Sequence, residues 1–256
     1  MQNLKRLCFL RQKENKETNM SKFFVDKCQI FGDNITVTGT DVNHISRVLR
    51  MHEGEDIKIC DKEGTDYFCE IDKIDKEEVV CKVLRSEPCP AEPSVKVTLY
   101  QCIPKSGKMD SIIQKAVELG VYEIVPVLSK RCVAKGEKGD RWQKISYEAA
   151  KQCGRGIIPI VHPALTFNDA VGSLSEKDLA LFPYEEATDG SLRNIPTDVK
   201  SVGIIIGPEG GFDKGEVEKG KELGAKIITL GKRILRTETA GSTVISIVMS
   251  ILGEME

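Results

Sequence analysis

Residues 201–212 read Ser-Val-Gly-Ile-Ile-Ile-Gly-Pro-Glu-Gly-Gly-Phe, and this stretch decides the fold. Gly203 to Ile206 is apolar without alternation. A strand with one wet face alternates, whereas a strand covered on both faces of a parallel sheet does not. The run ends in Gly207-Pro208-Glu209-Gly210-Gly211, a tight turn with backbone N–H groups to spare. Asp213 then caps a helix predicted over 213–224, with Glu216 reaching back and Phe212 and Val217 at the staple positions. Buried strand, glycine turn and capped helix make one unit of an open α/β sheet, whose ligands bind at the carboxyl ends of the strands.

The same alternation extends on both sides. Strands are predicted at 95–103, 122–129, 178–185 and 225–231, and helices at about 108–119, 140–153 and 237–252. In the first helix Met109, Ile112, Ile113, Ala116 and Val117 repeat at i, i+3, i+4, i+7 and i+8, and Gly120 suits the left-handed position that ends it. The last helix carries Val244, Ile245, Ile247, Val248, Ile251 and Leu252, more apolar sides than one small domain covers. A homodimer through that helix is the expectation.

Upstream the period changes. From 22 to about 90, short runs such as QIFGDNITVTG and DYFCEIDKIDK alternate apolar and polar residues between Gly, Asn and Asp. That pattern predicts a small antiparallel β-barrel. One helix is predicted at 41–51, with Val42, Ile45, Val48 and Leu49 on its apolar face and His44, Arg47 and Arg50 on the other. The segment SEPCPAEP at 86–93, with three prolines, is the linker. The domains are therefore 22–90 and 94–256. Residues 1–21 are an extension expected to be disordered, and Met20 is a second plausible start.

Composition removes several classes. The net charge of −2 argues against coating nucleic acid by bulk charge. Nine scattered Cys without a Cys-x-x-Cys pair, and only three His, argue against a zinc site or disulfide framework and for free thiols in a reducing cytoplasm. No apolar run approaches the roughly 18 residues of a membrane span. Charge is nevertheless uneven. Residues 129–155 hold eight Lys and Arg against three acidic residues, and residues 1–22 are also basic. Concentrated basic charge suits RNA.

The second candidate element is LGKRILRTETAGSTV at 230–244, a strand end, a basic loop and a helix start that Thr237 can cap. A donor site is expected from three loops: Phe182 and Pro183; Gly207, Pro208, Glu209, Gly210 and Gly211; and Leu230, Gly231, Ile234, Leu235, Arg236 and Thr237. Gly210 is the position where a side chain is expected to abolish ligand binding.

Taken together, IGPEGG and, about two dozen residues on, LGKRILRTETA resemble the cofactor-binding knot of the SPOUT class of RNA methyltransferases. With HISRVLR (44–50), QKAVELG (114–120), SKRCV (129–133) and EAAKQCGR (148–155), residues 22–252 look like the ribosomal RNA small subunit methyltransferase E family. The resemblance implies a PUA-like barrel, a deep trefoil knot in the α/β domain, S-adenosylmethionine as methyl donor, no metal, and a homodimer. It implies N3 methylation of one uridine of 16S rRNA within the small ribosomal subunit. Uridine N3–H must lose its proton, so Arg131, Arg155 and Arg236 are candidates to stabilise the uracil anion, and Glu209 is either the nearest carboxylate base or a loop-capping residue. His44, Arg47, Arg50, Lys130, Arg131, Lys151 and Arg155 are the expected RNA contacts. The alternatives are a knot methyltransferase with another base or a ribose 2′-hydroxyl as target, a non-catalytic RNA-binding module, and a flavodoxin-like nucleotide-binding protein.

Overall fold

The computed structural model describes residues 20–105, 107–133 and 139–255. The extension expected at the N-terminus lies almost wholly outside the described residues, as do Lys135 and Lys138 of the basic segment. The chain divides into two units, one formed by the described residues up to Ala91 together with Gly154–Ile157, the other by Glu92–Cys153 and Ile158–Glu256.

The first unit is a curled six-stranded sheet. Its strands are β1 (Lys22–Phe24), β2 (Ile30–Phe31), β3 (Asn34–Thr38), β4 (Asp56–Cys60), β5 (Thr65–Ile74) and β6 (Glu78–Pro88), in the order β1-β4-β5-β6-β3-β2. Every pairing is antiparallel except β1 with β4. Inward residues alternate, as the sequence requires: Ile35 and Val37, Ile57 and Ile59, Cys69 and Ile71, Val79 and Cys81 close on Phe23. β6 runs on to Pro88, so the linker is shorter than its prolines suggested.

The predicted helix at 41–51 is different. A single turn, α1 (Thr40–Asn43), opens into a π-helical turn at His44–Val48. The wider turn changes the angle per residue, so the apolar face does not continue. Val42 and Ile45 are buried, but Val48 is 69% and Leu49 38% exposed. His44 packs edge-on against Phe23, with ring centroids 5.7 Å apart, while Arg47 and Arg50 remain exposed.

Residues 154–157 join this unit through a buried ion cluster. The Lys22 ammonium lies 2.7 Å from Asp66 and donates to the carbonyls of Gly154 and Arg155 at 2.8 and 3.3 Å. Asp66, fully buried, also meets Lys58 at 2.8 Å. Arg155 is 3% exposed. It was expected on an accessible basic surface; the segment that carries it is held to Lys22 through its carbonyls, and the Arg155 side chain is buried.

The second unit is a parallel sheet in the order β10-β8-β7-β12-β11-β13. The strands are β7 (Lys96–Cys102), β8 (Glu123–Leu128), β9 (Ile160–Val161), β10 (Leu165–Thr166), β11 (Leu179–Pro183), β12 (Ser201–Ile206) and β13 (Lys226–Ile228), with β9 beside β8. Both faces are covered. Leu99, Ile124, Leu181 and Ile204 share one core with α2 (Met109–Glu118), α3 (Gly139–Cys153) and α6 (Thr237–Ile251). Tyr100, Val125, Phe182 and Ile205 share the other with α4 (Phe167–Ser175) and α5 (Lys214–Glu222). Burying one such side chain is worth roughly 1.5–3 kcal/mol, enough to fix which face of each strand points where. On α6, Val244, Ile245, Val248 and Met249 are buried, leaving Ile247 37% exposed and Ile251 and Leu252 half-buried.

Candidate functional site

The carboxyl ends of β11, β12 and β13 and the start of α6 enclose a cavity of about 450 Å³. That volume lies in the range of small-ligand sites. Three loops supply its walls: Pro183–Glu185, Gly207–Phe212 without Gly210, and Thr229–Arg236 running into Thr237.

Most of the expected residues meet here. Pro183, Gly207, Pro208, Glu209, Gly211, Leu230, Gly231, Ile234, Leu235, Arg236 and Thr237 all line the cavity. Phe182 does not. It is fully buried behind the wall, its ring 4.5 Å from that of Phe212. Gly210 does not line it either. Its carbonyl accepts from Arg131 Nη1 at 2.7 Å, and a Cβ there would touch Arg131 at an ordinary 3.5 Å. Gly211 is the glycine of this loop with a left-handed backbone, φ of 65°, and the movable Glu185 carboxylate lies where its Cβ would be.

The loops are tied to their neighbours by polar side chains. Glu209 accepts from the backbone N–H of Lys105 at 3.0 Å and lies 3.6 Å from the Lys108 ammonium, which also meets Glu238 at 3.3 Å. The Glu238 carboxyl is held below its usual range by its own backbone N–H at the start of α6 and, against burial, by Lys108. Glu216 forms the expected capping box with Asp213 and also accepts from the Lys130 backbone N–H at 2.9 Å. That bond fixes the turn carrying Lys130 and Arg131 beside the glycine loop. Lys130 pairs with Asp213, which holds that carboxyl low. Thr237 was expected to cap α6. The capping position belongs to Arg236, and the Thr237 hydroxyl donates instead to Gly207 O at 2.7 Å.

Cys132 lies beside Arg131, half-buried. A hydrogen bond from Cys102 and two from Ser129 favour its thiolate, against burial, and bring it down to about 6. Lys108, Glu185, Lys232 and Arg233 also line the cavity and were missed. Lys232 and Arg233 fall inside a quoted motif, but Lys108 lies on a separate helix start and nothing in its spacing aims it here. Of the other expected RNA contacts, Lys130 and Arg131 are exposed and Lys151 is half-buried on α3. Among the described residues no cluster of His, Cys, Asp or Glu has the arrangement of a metal site, and no helix is long and apolar enough to cross a membrane.

Residues 91–249 match the family model described as an RNA methyltransferase domain, and residues 37–84 match the RNA methyltransferase PUA domain. Ribosomal RNA small subunit methyltransferase E of Bacillus subtilis (strain 168) is 34% identical over 237 residues, covering 86% of this chain and 93% of the relative. The protein of that description from Aquifex aeolicus is 33% identical, covering 82% and 91%. Among solved structures, that of ribosomal RNA small subunit methyltransferase E from Neisseria gonorrhoeae bound to S-adenosyl methionine is 30% identical, with a TM-score of 0.82 over 91% of this chain and 98% of the other.

Proposed function

The chain belongs to the ribosomal RNA small subunit methyltransferase E family, and from that membership we propose that it transfers a methyl group from S-adenosylmethionine to N3 of one uridine in 16S rRNA. The cavity at the ends of β11, β12 and β13 is the observation that carries this reading. It is walled by three loops, it has a size for a nucleoside, and Gly211 leaves room for the Glu185 carboxylate beside it. When bound, the donor supplies an electrophilic methyl group, so the reaction needs positioning more than activation of the donor.

The chain's own residues divide the remaining work. Gly207–Gly211 and Leu230–Thr237 hold the donor. Arg236, exposed on the cavity wall, stabilises the uracil anion that forms as N3 loses its proton. Arg131 spans the glycine loop and the surface, and serves both the loop and the RNA. Glu209, already accepting from Lys105 and near Lys108, anchors the loop. The target base must leave its stack to reach this site. RNA is held by the exposed Arg47 and Arg50 of the first unit and by Lys130 and Arg131 of the second; half-buried His44 and Lys151 border these surfaces. Arg155, being buried, is left out of the RNA-contacting set.

The reading includes a knotted chain path and a homodimer. Supporting the first, β13 sits at the sheet edge, Thr229 N–H donates to Gly190 O at 3.0 Å, and the chain then returns so that α6 packs on β7, β12 and the turn at Leu192–Asn194. Supporting the second, Ile247, Ile251 and Leu252 stay partly open on α6. The place of action is the cytoplasm, where the small subunit is assembled. Mass spectrometry of 16S rRNA from cells lacking this protein tests the reading. One uridine should lose an N3 methyl group, restored by the wild-type chain. A fully methylated rRNA would overturn it.

A further inference from the structure

Gln101 stands in β7 between Tyr100 and Cys102, on a strand that is otherwise almost wholly buried. It is 0% exposed, and its Oε1 has no hydrogen-bond partner. An amide sealed in an apolar sheet with one atom unsatisfied is destabilising relative to an apolar side chain of the same shape. Its retention calls for a reason.

The orientation of the amide follows from its partners. Nε2 lies 3.0 Å from Cys102 O, which can only accept, so the nitrogen and not the oxygen faces that way. The same Nε2 lies 2.9 Å from Thr237 Oγ1. Gln101 therefore donates to Thr237, and the single hydroxyl proton of Thr237 is directed to Gly207 O, 2.7 Å away. The far side of the amide is closed by the helix: a Cβ on Gly241 would lie 3.4 Å from Oε1. Three segments are thus joined through one relay: the end of β7, the first residue of α6, and the first residue of the glycine loop. Both Thr237 and Gly207 line the cavity. Gln101 itself does not.

We propose that Gln101 is a positioning residue for the methyl donor, orienting the Thr237 hydroxyl so that the carbonyl of Gly207, and with it the glycine loop, is held in its binding conformation. The inference rests on the reading that the cavity is the donor site. It explains why an amide with an orphan oxygen stands where Met or Leu fills the same space: direction is obtained at some loss of stability.

The test separates direction from stability. Gln101→Met keeps the length of the side chain and removes both the donor and the orphan acceptor. Its Tm should equal or exceed that of the wild type, while its affinity for S-adenosylmethionine, measured by titration calorimetry, should fall about tenfold, the worth of one hydrogen bond. Thr237→Val should lose a similar factor, and Thr237→Ser should keep wild-type affinity, which tests the relay even if Gln101→Met fails to fold. The double variant Gln101→Met/Thr237→Val should bind no worse than the weaker single variant, since the two act as one chain. Wild-type donor affinity in Gln101→Met or in Thr237→Val overturns the proposal, as does strict additivity of the two losses. A wild-type chain that does not bind the donor overturns the reading of the cavity, and this inference with it.

Discussion

The two units bury polar groups to opposite ends. In the first, Asp66, Lys22 and Lys58 are closed inside a curled antiparallel sheet, and every partner belongs to that unit. In the second, the parallel sheet keeps its interior apolar apart from groups such as Gln101 and Thr98. It gathers charge at the strand ends, where Glu209, Lys108 and Arg236 line a cavity and Glu238 pairs with Lys108. The difference follows from topology. Parallel strands all end on one side, so their loops converge; hairpins distribute theirs over both ends. Buried charge in the first unit therefore fixes a chain segment, and clustered charge in the second faces an open cavity.

Thiol chemistry shows the contrast at its largest. Burial pushes Cys60, Cys69 and Cys81 of the first unit up to about 12 and raises Cys102 inside the second unit's sheet as well, whereas Cys132, past the end of β8, is brought down to about 6. At neutral pH the thiolate fractions differ by roughly five orders of magnitude. Alkylation of the folded protein followed by peptide mass spectrometry should modify Cys132 with a rate that rises through pH 6 and is flat above pH 7. The thiolate is present above that value and lost below it. A rate at Cys132 still climbing between pH 7 and 9 would show an ordinary thiol.

Next in size is Asp66→Ala. It leaves the Lys22 and Lys58 ammonium groups without their carboxylate, at a cost of about 3–5 kcal/mol. Chemical denaturation should show the first unit unfolding at lower denaturant, with donor affinity unchanged because the cavity walls lie in the second unit. The cluster also has a pH signature. Burial pushes the Lys22 ammonium down, but Asp66 outweighs it and holds the group above its usual 10.5. The stabilisation is complete below pH 10.5 and is lost as pH rises through the higher folded value. Equal alkaline sensitivity of wild type and Asp66→Ala would contradict this.

Smaller, and confined to the second unit, is the effect of a side chain in the glycine loop. Gly211→Val meets the Glu185 carboxylate and carries the cost of a left-handed residue, about 1–2 kcal/mol. Donor affinity should fall tenfold or more. Gly210→Val, without positive φ and in ordinary contact with Arg131, should stay within a factor of a few. Calorimetric titration ranks the two, and the reverse order would place the critical turn at Gly210.

Legibility in the sequence followed the same division. Strands buried on both faces, the capping box at Asp213 and Glu216, and the Gly120 terminus are local patterns, and each stands where it was expected. α4 carried a readable signal that went unused: Phe167, Ala170, Val171 and Leu174 are spaced as a helix stripe behind Thr166, which caps it. Its Asn, Gly and Ser content hid the period. Other features were not local at all. Lys108 reaches Glu238 across 130 positions of sequence, and Lys22 holds the carbonyls of Gly154 and Arg155 from 132 and 133 positions away. A π turn inside HISRVLR shifts the helix phase by an amount that no count of residues per turn supplies.

The smallest effects test the division at arginine. Arg47 is exposed on the π turn of the first unit, whereas Arg155, assigned to the same unit, is 3% exposed. An exposed arginine that meets one RNA phosphate releases about one counterion, so Arg47→Ala should lower the slope of log affinity against log salt by roughly 0.7–0.9 and weaken rRNA binding modestly. Its Tm and donor affinity should not move. Arg155→Ala should behave in the opposite way. A covered guanidinium has no phosphate to neutralise, so the salt slope should stay at the wild-type value while Tm falls, because a buried charged group and its partners are disrupted. Filter binding of rRNA across a salt series, alongside thermal unfolding of each variant, measures both quantities. A reduced slope in Arg155→Ala at wild-type Tm would mean that residues 154–157 leave the first unit when RNA binds, and buried charge there would then serve recognition as well as structure.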